Sequence, residues 1–449
     1  MSHPPHSPVG PSGTPVAGPV ASPVTGTDGC CAELARVGAS RRRVLQGALG
    51  LGGAMAVTQL FGESVMQTSY AGTPGGNVLV VLSLRGGIDG LGVVVPHGDA
   101  GYYKVRPTTA VPKDQLVCAD AMFGLHPKMA PLKPFWTSGE LAAIQAVGLP
   151  APNRSHFSAI EEIEDAAPGS EARSGWVNRM IGMGPSSATG GVLDAVQLGL
   201  NYPTTALSGD RSVMATNDLS RLALPGLDTS VPERRYGSLA AAWSGATGPL
   251  ARSAADAVTV SKTAGSTIAG VAAGSTPYPT VWNADPFAAP LKSAARLIRA
   301  DVGTDVIAID AGSWDFHTGY GTTGWGSMQS GIDGLAQSLA AFLTDLGPLR
   351  SRVTVVTISE FGRRVQENGS QGFDHGWGNM MLVAGAGVRG GRYFGRWPGL
   401  GAAELAEGDL KVTTDYRQVL GEVLAKRFPD RSLPTVFPGV TPATLGFMA

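Results

Sequence analysis

Cysteine is nearly missing from this chain: there are three in 449 residues, Cys30, Cys31 and Cys118. The first two precede a segment read below as an export signal, so a processed chain keeps Cys118 alone. An intrachain disulfide is then excluded, and stability has to come from a hydrophobic core and any bound metal. Charge is scarce as well. Charged residues make up 15% of the chain against 43% hydrophobic, and the formal net charge is −1. That balance gives no electrostatic footing for nucleic acid or for an acidic surface as partner. Histidine is rare enough, at seven residues, that each placement carries information. Glycine is abundant at 63, which implies many tight turns and loops that run close to backbone. The length suits one large α/β domain with insertions, or two domains.

Residues 1–39 are rich in Pro, Gly, Ser and Val without periodicity and read as a disordered leader. Ser40-Arg41-Arg42-Arg43-Val44-Leu45 then fits the twin-arginine pattern S-R-R-x-hydrophobic-L. The Gly/Ala-rich run that follows, Gly47 to Val57, is shorter than the about 20 apolar residues of a membrane span. Ser69 and Ala71 occupy small-residue positions before a cut, which puts cleavage near Ala71–Gly72. The competing reading is a basic-capped internal helix. The expectation is a leader and signal over 1–71 and an α/β domain over 72–449. The twin-arginine machinery is then a partner, no membrane span remains after cleavage, and the location is periplasmic, cell-wall or extracellular.

Continuous apolar runs at Asn77–Leu84, Leu141–Leu149, Val192–Leu200, Thr304–Asp310, Arg352–Ser359 and Met380–Val388 read as strands buried on both faces. Helical patterns lie between them. One starts at Ser155, and others follow around Leu250–Ala269, from Phe287, from Gly331 and over Asp415–Phe428. Residues 203–285 are less regular and read as an insertion or cap. The alternation predicts an α/β fold: a mostly parallel sheet with helices on both faces and an inserted cap region. In such sheets ligands bind beyond the carboxyl ends of the strands.

The chemistry-bearing residues fall at those ends. Asp89 and Glu360 lie just past strands, and so do the pairs Asp315/His317 and Asp374/His375. Each has a bland reading: Asp89 as a turn residue, Asp315 and His317 as a structural hydrogen bond. Glu360 can be an ion pair with Arg363 or Arg364, and Asp374-His375 a capping pair. Together they put several carboxylates at one sheet edge, where mutual repulsion calls for cations. One or two divalent ions are the simplest compensation. Zn²⁺ suits a mixed His and carboxylate set, while Mn²⁺, Mg²⁺ and Ca²⁺ suit oxygen-rich ones. Ser155, at a helix start in "NRSHF", is either a plain N-cap or a nucleophile beside the metal. His156 beside it reads as ligand, general acid or core residue, and Arg154 and Arg363 as clamps on substrate oxygens. His97 and His126 read as structural or peripheral.

The segments "LRGGIDGL", "NRSHF", "GSWDFHTG", "SEFGRRVQENGSQGFDHGWGN", "VRGGRYFGRWPGL" and "TTDYRQVL" resemble, in order, the bacterial family called domain of unknown function 1501. The resemblance runs from about Asn77 to Gly446. That family is similar to the alkaline-phosphatase-like superfamily of phosphatases, sulfatases and cofactor-independent phosphoglycerate mutases. The resemblance implies an alkaline-phosphatase-like fold with two metals at the carboxyl ends of the strands. By chain position Asp89 resembles the first-strand metal ligand, Ser155 the nucleophile, and Asp315 and His317 the ligands of one metal. Glu360-Phe361 stands where the superfamily has an Asp-His pair, so one metal shell departs from the pattern. Cys118, in "CADAM", lacks the formylglycine motif, which speaks against a sulfatase of that type. The function these readings imply is an exported metal-dependent hydrolase of phosphate mono- or diesters. Its substrate would be a small-molecule or polymer ester. The alternative is a secreted binding or scaffold protein that keeps the fold and a structural metal.

Overall fold

The strand Val78–Ser83 (β1) shows how this sequence builds its core. Val78, Val80 and Leu82 pack into one hydrophobic layer and Leu79 and Val81 into another. Alternate residues of a strand face opposite sides of the sheet, so a run apolar at every position has both faces covered. The computed structural model describes residues 75–168, 174–183, 191–222, 231–272, 274–281 and 283–449. The leader, the twin-arginine run at 40–45 and the cleavage point at 71–72 lie outside them, as do His3, His6, Cys30 and Cys31.

The other strands follow in chain order. They are β2 (Val94–Val95), β3 (Gly124–Leu125), β4 (Leu141–Gly148), β5 (Ala195–Leu198), β6 (Met214–Thr216), β7 (Val306–Asp310), β8 (Val353–Ile358), β9 (Asn379–Gly385), β10 (Tyr393–Phe394) and β11 (Thr414–Asp415). β2 and β3 form a small ribbon of their own. The main sheet has the order β10-β4-β9-β8-β1-β7-β5-β6, with β11 also on β4. β1 lies between β7 and β8 in parallel register, with Leu82 opposite Ile309 and Thr357. Only β9 runs against its neighbours in this sheet, pairing antiparallel with β8 and with β4. The fold is therefore α/β with a mostly parallel sheet. β9 brings its amino end to the edge where its neighbours bring their carboxyl ends.

Helices cover both faces. On one side lie α4 (Asp285–Ala300) and α5 (Ser327–Asp345), packed through Phe287, Leu291 and Ile298 and through Ile332, Leu335, Leu339 and Phe342. The last four recur at three- and four-residue spacing, the stripe the sequence displays. On the other side lie α1 (His156–Asp165), the helix Trp176–Ile181 and α6 (Tyr416–Arg427). Asp415 caps α6 by accepting from the Arg417 N–H at 2.9 Å. Each fully buried Leu or Phe in these layers contributes about 1.5–3 kcal/mol.

Residues 203–285 are not wholly an insertion. They include β6, which pairs parallel with β5 as part of the main sheet. The same stretch holds α2 (Pro232–Trp243) and α3 (Pro249–Gly270), which share a small core of Tyr236, Leu239, Ala254, Ala257 and Val258. The far half of α3 joins the main core through Val260, Ala264 and Ile268. No helix among the described residues is long and apolar enough to cross a membrane.

Candidate metal centre

The carboxyl ends of β1, β4, β7 and β8 and the amino end of β9 converge on one edge. The exit from β7 carries Asp315 and His317, and the turn into α1 carries His156. The exit from β8 carries Glu360 and Arg363, and the approach to β9 carries Asp374 and His375. Glycine lets these loops meet. Gly86, at φ +105°, lies so close to the β7 exit that an added Cβ would sit 2.6 Å from the Trp314 nitrogen and 2.7 Å from that of Asp315. Phe361 packs against two imidazoles, its ring centroid 4.8 Å from both His156 and His375.

Three imidazole nitrogens and one carboxylate come together here. The Nε2 of His375 lies 3.0 Å from the Nε2 of His156 and 3.0 Å from the Nε2 of His317. Asp315 Oδ1 is 3.1 Å from His375 Nε2 and 3.0 Å from His317 Nε2, and Oδ2 is 3.5 Å from His156 Nε2. The donor atoms of His156, Asp315 and His375 all lie within 4.8 Å of one another. His317 reaches two of those three. His375 and Asp315 thus form a shared edge, with His156 on one side and His317 on the other.

Each histidine is gripped from behind. Glu360 Oε1 accepts from Nδ1 of His156 at 2.7 Å, and Asp374 Oδ1 accepts from Nδ1 of His317 at 2.9 Å. The Arg154 carbonyl accepts from Nδ1 of His375 at 2.9 Å. Carboxylates and carbonyls only accept, so each Nδ1 carries a proton, which leaves Nε2 as the lone-pair nitrogen of the neutral ring. In the neutral imidazoles three Nε2 lone pairs then face a carboxylate at 3.0–3.5 Å. That arrangement is unfavourable unless a cation sits among them. A tetrahedral ion with bonds of about 2.0–2.1 Å spaces its ligands by about 3.3 Å, a spacing that suits His156, Asp315 and His375, with His317 an added donor on the far side of the Asp315–His375 edge. Outer carboxylates and carbonyls on Nδ1 are the usual companions of metal-binding imidazoles.

Asp315 is fixed by Arg363. The guanidinium is buried and donates to Asp315 Oδ1 at 2.6 Å. It also donates to the backbone carbonyls of Gly86, Gly87 (2.5 Å), Trp314 (3.1 Å) and Phe373 (2.9 Å). Partial burial pushes the Asp315 carboxyl up, but Arg363 and the neighbouring imidazoles outweigh it and hold it at about 2. Asp374 is also held below the ordinary range, by its bonds from His317 and Asn368.

The structure redistributes several roles read from the sequence. Asp89 is not at the donor cluster. It is buried in a two-pronged pair with Arg106 at 2.5 and 3.0 Å, and the Tyr320 hydroxyl donates to it at 2.6 Å. A carboxylate so enclosed needs a partner of its own, and Arg106, fully buried, supplies it. Glu360 lies behind His156, where it also accepts from the Gly86 N–H at 2.8 Å. Asp374 lies behind His317 and accepts from Asn368 at 3.1 Å. Arg363 has no free donor face for a substrate. The Arg154 side chain donates to Asp409 through Nε and one terminal nitrogen, at 2.9 and 2.5 Å, while its carbonyl serves His375. Ser155 stands at the N-cap position of α1, exposed, and its hydroxyl makes no capping bond. His97 and His126 are buried away from the cluster and bonded to backbone. Arg106, Tyr320 and Asp409 carried no motif, and nothing at their positions in the sequence singles them out.

Two solved structures resemble the chain weakly. One is a protein in the alkaline phosphatase superfamily from Vibrio parahaemolyticus, 10% identical, with 86% of this chain and 75% of that chain covered and a TM-score of 0.34. The other is the PsFucS1 sulfatase from Pseudoalteromonas sp., 11% identical, with 90% and 76% covered and a TM-score of 0.34. A likeness at that level carries no argument about this chain. No curated protein matches the sequence. Residues 121–430 match the profile of the family described as protein of unknown function (DUF1501). That span is more than half of the chain and takes in every donor of the cluster, so the protein belongs to the DUF1501 family.

Proposed function

We propose that this protein is a metal-dependent hydrolase of phosphate mono- or diesters, with an alkaline-phosphatase-like arrangement and Ser155 as nucleophile. The observation that carries the reading is the convergence of the His156, His317 and His375 Nε2 atoms on the Asp315 carboxylate, each imidazole held in the metal-binding tautomer. Those side chains would hold a divalent cation, which when bound would supply the Lewis acidity that polarises a phosphoryl oxygen and stabilises the leaving oxygen. Ser155 lies between the two residues that serve the cluster from this turn, Arg154 through its carbonyl and His156 through its ring. Its hydroxyl is uncommitted by capping. It attacks phosphorus, forming a Ser155–phosphorus bond as the ester P–O bond breaks and the alcohol departs with a proton. Water then breaks the Ser155–phosphorus bond. Glu360, Asp374 and the Arg154 carbonyl hold protons on the three Nδ1 atoms throughout, and Arg363 fixes Asp315. The twin-arginine motif at Ser40–Leu45 supports export of the folded chain, with the twin-arginine machinery as partner and no nucleic acid.

One observation favours the alternative of a secreted binding or scaffold protein with a structural metal. Arg363 is buried and committed to protein groups, and Arg154 holds Asp409 through Nε and one terminal nitrogen, which weakens the clamp expected on an anionic substrate. Turnover of generic phosphate esters by the purified protein, loaded with each divalent metal in turn, separates the two. The hydrolase reading expects turnover that disappears in Ser155→Ala while metal content stays. Wild type inert with every metal ends that reading in favour of the scaffold.

A further inference from the structure

We infer that this centre holds a single cation and selects an imidazole-preferring metal such as zinc over magnesium or calcium. The inference rests on the metal reading above but is independent of substrate and turnover.

The charge accounting leads there. Two divalent ions need several carboxylate oxygens, and nearly every acid at this edge is already satisfied by the protein. Asp89 takes both prongs of Arg106 and the Tyr320 hydroxyl. Arg106 and Asp89 are 0% and 2% exposed at their side chains, so an ion entering there would strand a buried guanidinium. Glu360 takes the His156 Nδ1–H, the Gly86 N–H and the Ser359 hydroxyl. Asp374 takes the His317 Nδ1–H and the Asn368 amide. Next door, Asp310 and Glu164 line a small cavity with Glu360, and both pair with Arg85. Asp409 is tied to Arg154 and lies near Arg364. Among the described residues, Asp315 is the one carboxylate of this edge with oxygens beside the Nε2 atoms, and Arg363 already neutralises part of its charge.

The donor chemistry points the same way. Magnesium and calcium take six or more oxygens and shed water reluctantly for nitrogen. Zinc and its late first-row neighbours accept imidazoles and a carboxylate in a compact shell, the mixed set that His156, Asp315 and His375 offer within 4.8 Å of one another. Glu360, Asp374 and the Arg154 carbonyl occupy the three Nδ1 atoms, so the Nε2 atoms are the nitrogens turned toward an ion.

The full-length protein, stripped with a chelator, is titrated by calorimetry with zinc chloride, magnesium chloride and calcium chloride. Cobalt(II) is followed by its visible absorption, and bound metal is counted by elemental analysis. The expected result is one equivalent of zinc, with magnesium and calcium binding at least about a thousandfold more weakly. Cobalt should give the intense bands of a low-coordinate nitrogen site. His375→Ala should lose the zinc, and Asp89→Asn should keep one equivalent wherever it folds. Two equivalents of zinc in the wild type, or saturation by magnesium at comparable concentrations, overturns the inference. That wild-type count does not depend on either variant folding. One bound zinc without ester turnover would end the hydrolase reading and leave this one standing.

Discussion

A carboxylate that holds one nitrogen of an imidazole decides what the other nitrogen can do. Glu360 fixes Nδ1 of His156 at 2.7 Å while taking the Gly86 N–H on the same oxygen. Glu360→Gln keeps an acceptor but loses the charge, so zinc affinity is expected to fall about 10–100-fold, read by competition with a chromogenic chelator. Unchanged affinity would remove Glu360 from the support of the site. Ser155→Ala is expected to abolish ester turnover and leave the melting temperature almost unchanged. A true N-cap would cost about 1 kcal/mol, but this hydroxyl makes no capping bond. Asp315, His317 and His375 were legible as a group, because rare histidines beside acids followed strand-like runs. His156 was legible only as one of three alternatives. Its role depends on Glu360, 204 residues away, and on packing against Phe361. Asp89 misled for the same reason. Arg106 is only 17 residues on, in a stretch without pattern, and only the folded chain shows that it fills the space beside Asp89.

Each loop of this edge owes its path to the element it leaves. The long strands were legible because they are apolar at most positions, and β1, β4, β7 and β8 fall within the stretches read as strands. The short ones, β6, β10 and β11, hold two or three residues each and carry no periodicity to detect. The reversal of β9 was not legible either, since an antiparallel strand with both faces buried has the same composition as a parallel one. Where the β1 and β7 exits touch, Gly86 leaves no room for a methyl group. Gly86→Ala is expected to push the segment at Trp314 and Asp315 outward, weaken metal binding and destabilise the chain by roughly 1–3 kcal/mol. Metal titration and denaturant unfolding together check this. A variant with wild-type values in both would mean that the two loops yield freely.

For the molecule as a whole, an ion gripped by loops from different strands should stabilise the fold it closes. Chelation is expected to lower the unfolding midpoint in calorimetry, by the equivalent of about 2.7 kcal/mol when free metal stands at a hundred times its dissociation constant. His375→Ala should show no such shift. A pH dependence should come from Glu164. Burial pushes its carboxyl up from 4.5 to about 7, Arg85 opposing and Asp310 adding. The folded chain then holds a proton there that the unfolded chain has lost. Stability therefore falls as pH rises between about 4.5 and 7 and levels off above, by roughly 3 kcal/mol at most. Glu164→Gln is expected to flatten that part of the profile, with thermal midpoints from pH 4.5 to 8 as the check. The reversed strand β9 has a further consequence, in time. His375 stands at its entrance, 219 residues after His156, in the gap between β4 and β8. While a ribosome is still making the chain, that gap is open, and Asp315 and His317 wait without their shared partner. If the proposed ion needs His375, its capture follows insertion of β9. On an export route that accepts folded cargo, a loaded centre would therefore report that synthesis has passed residue 375 and that the sheet has closed.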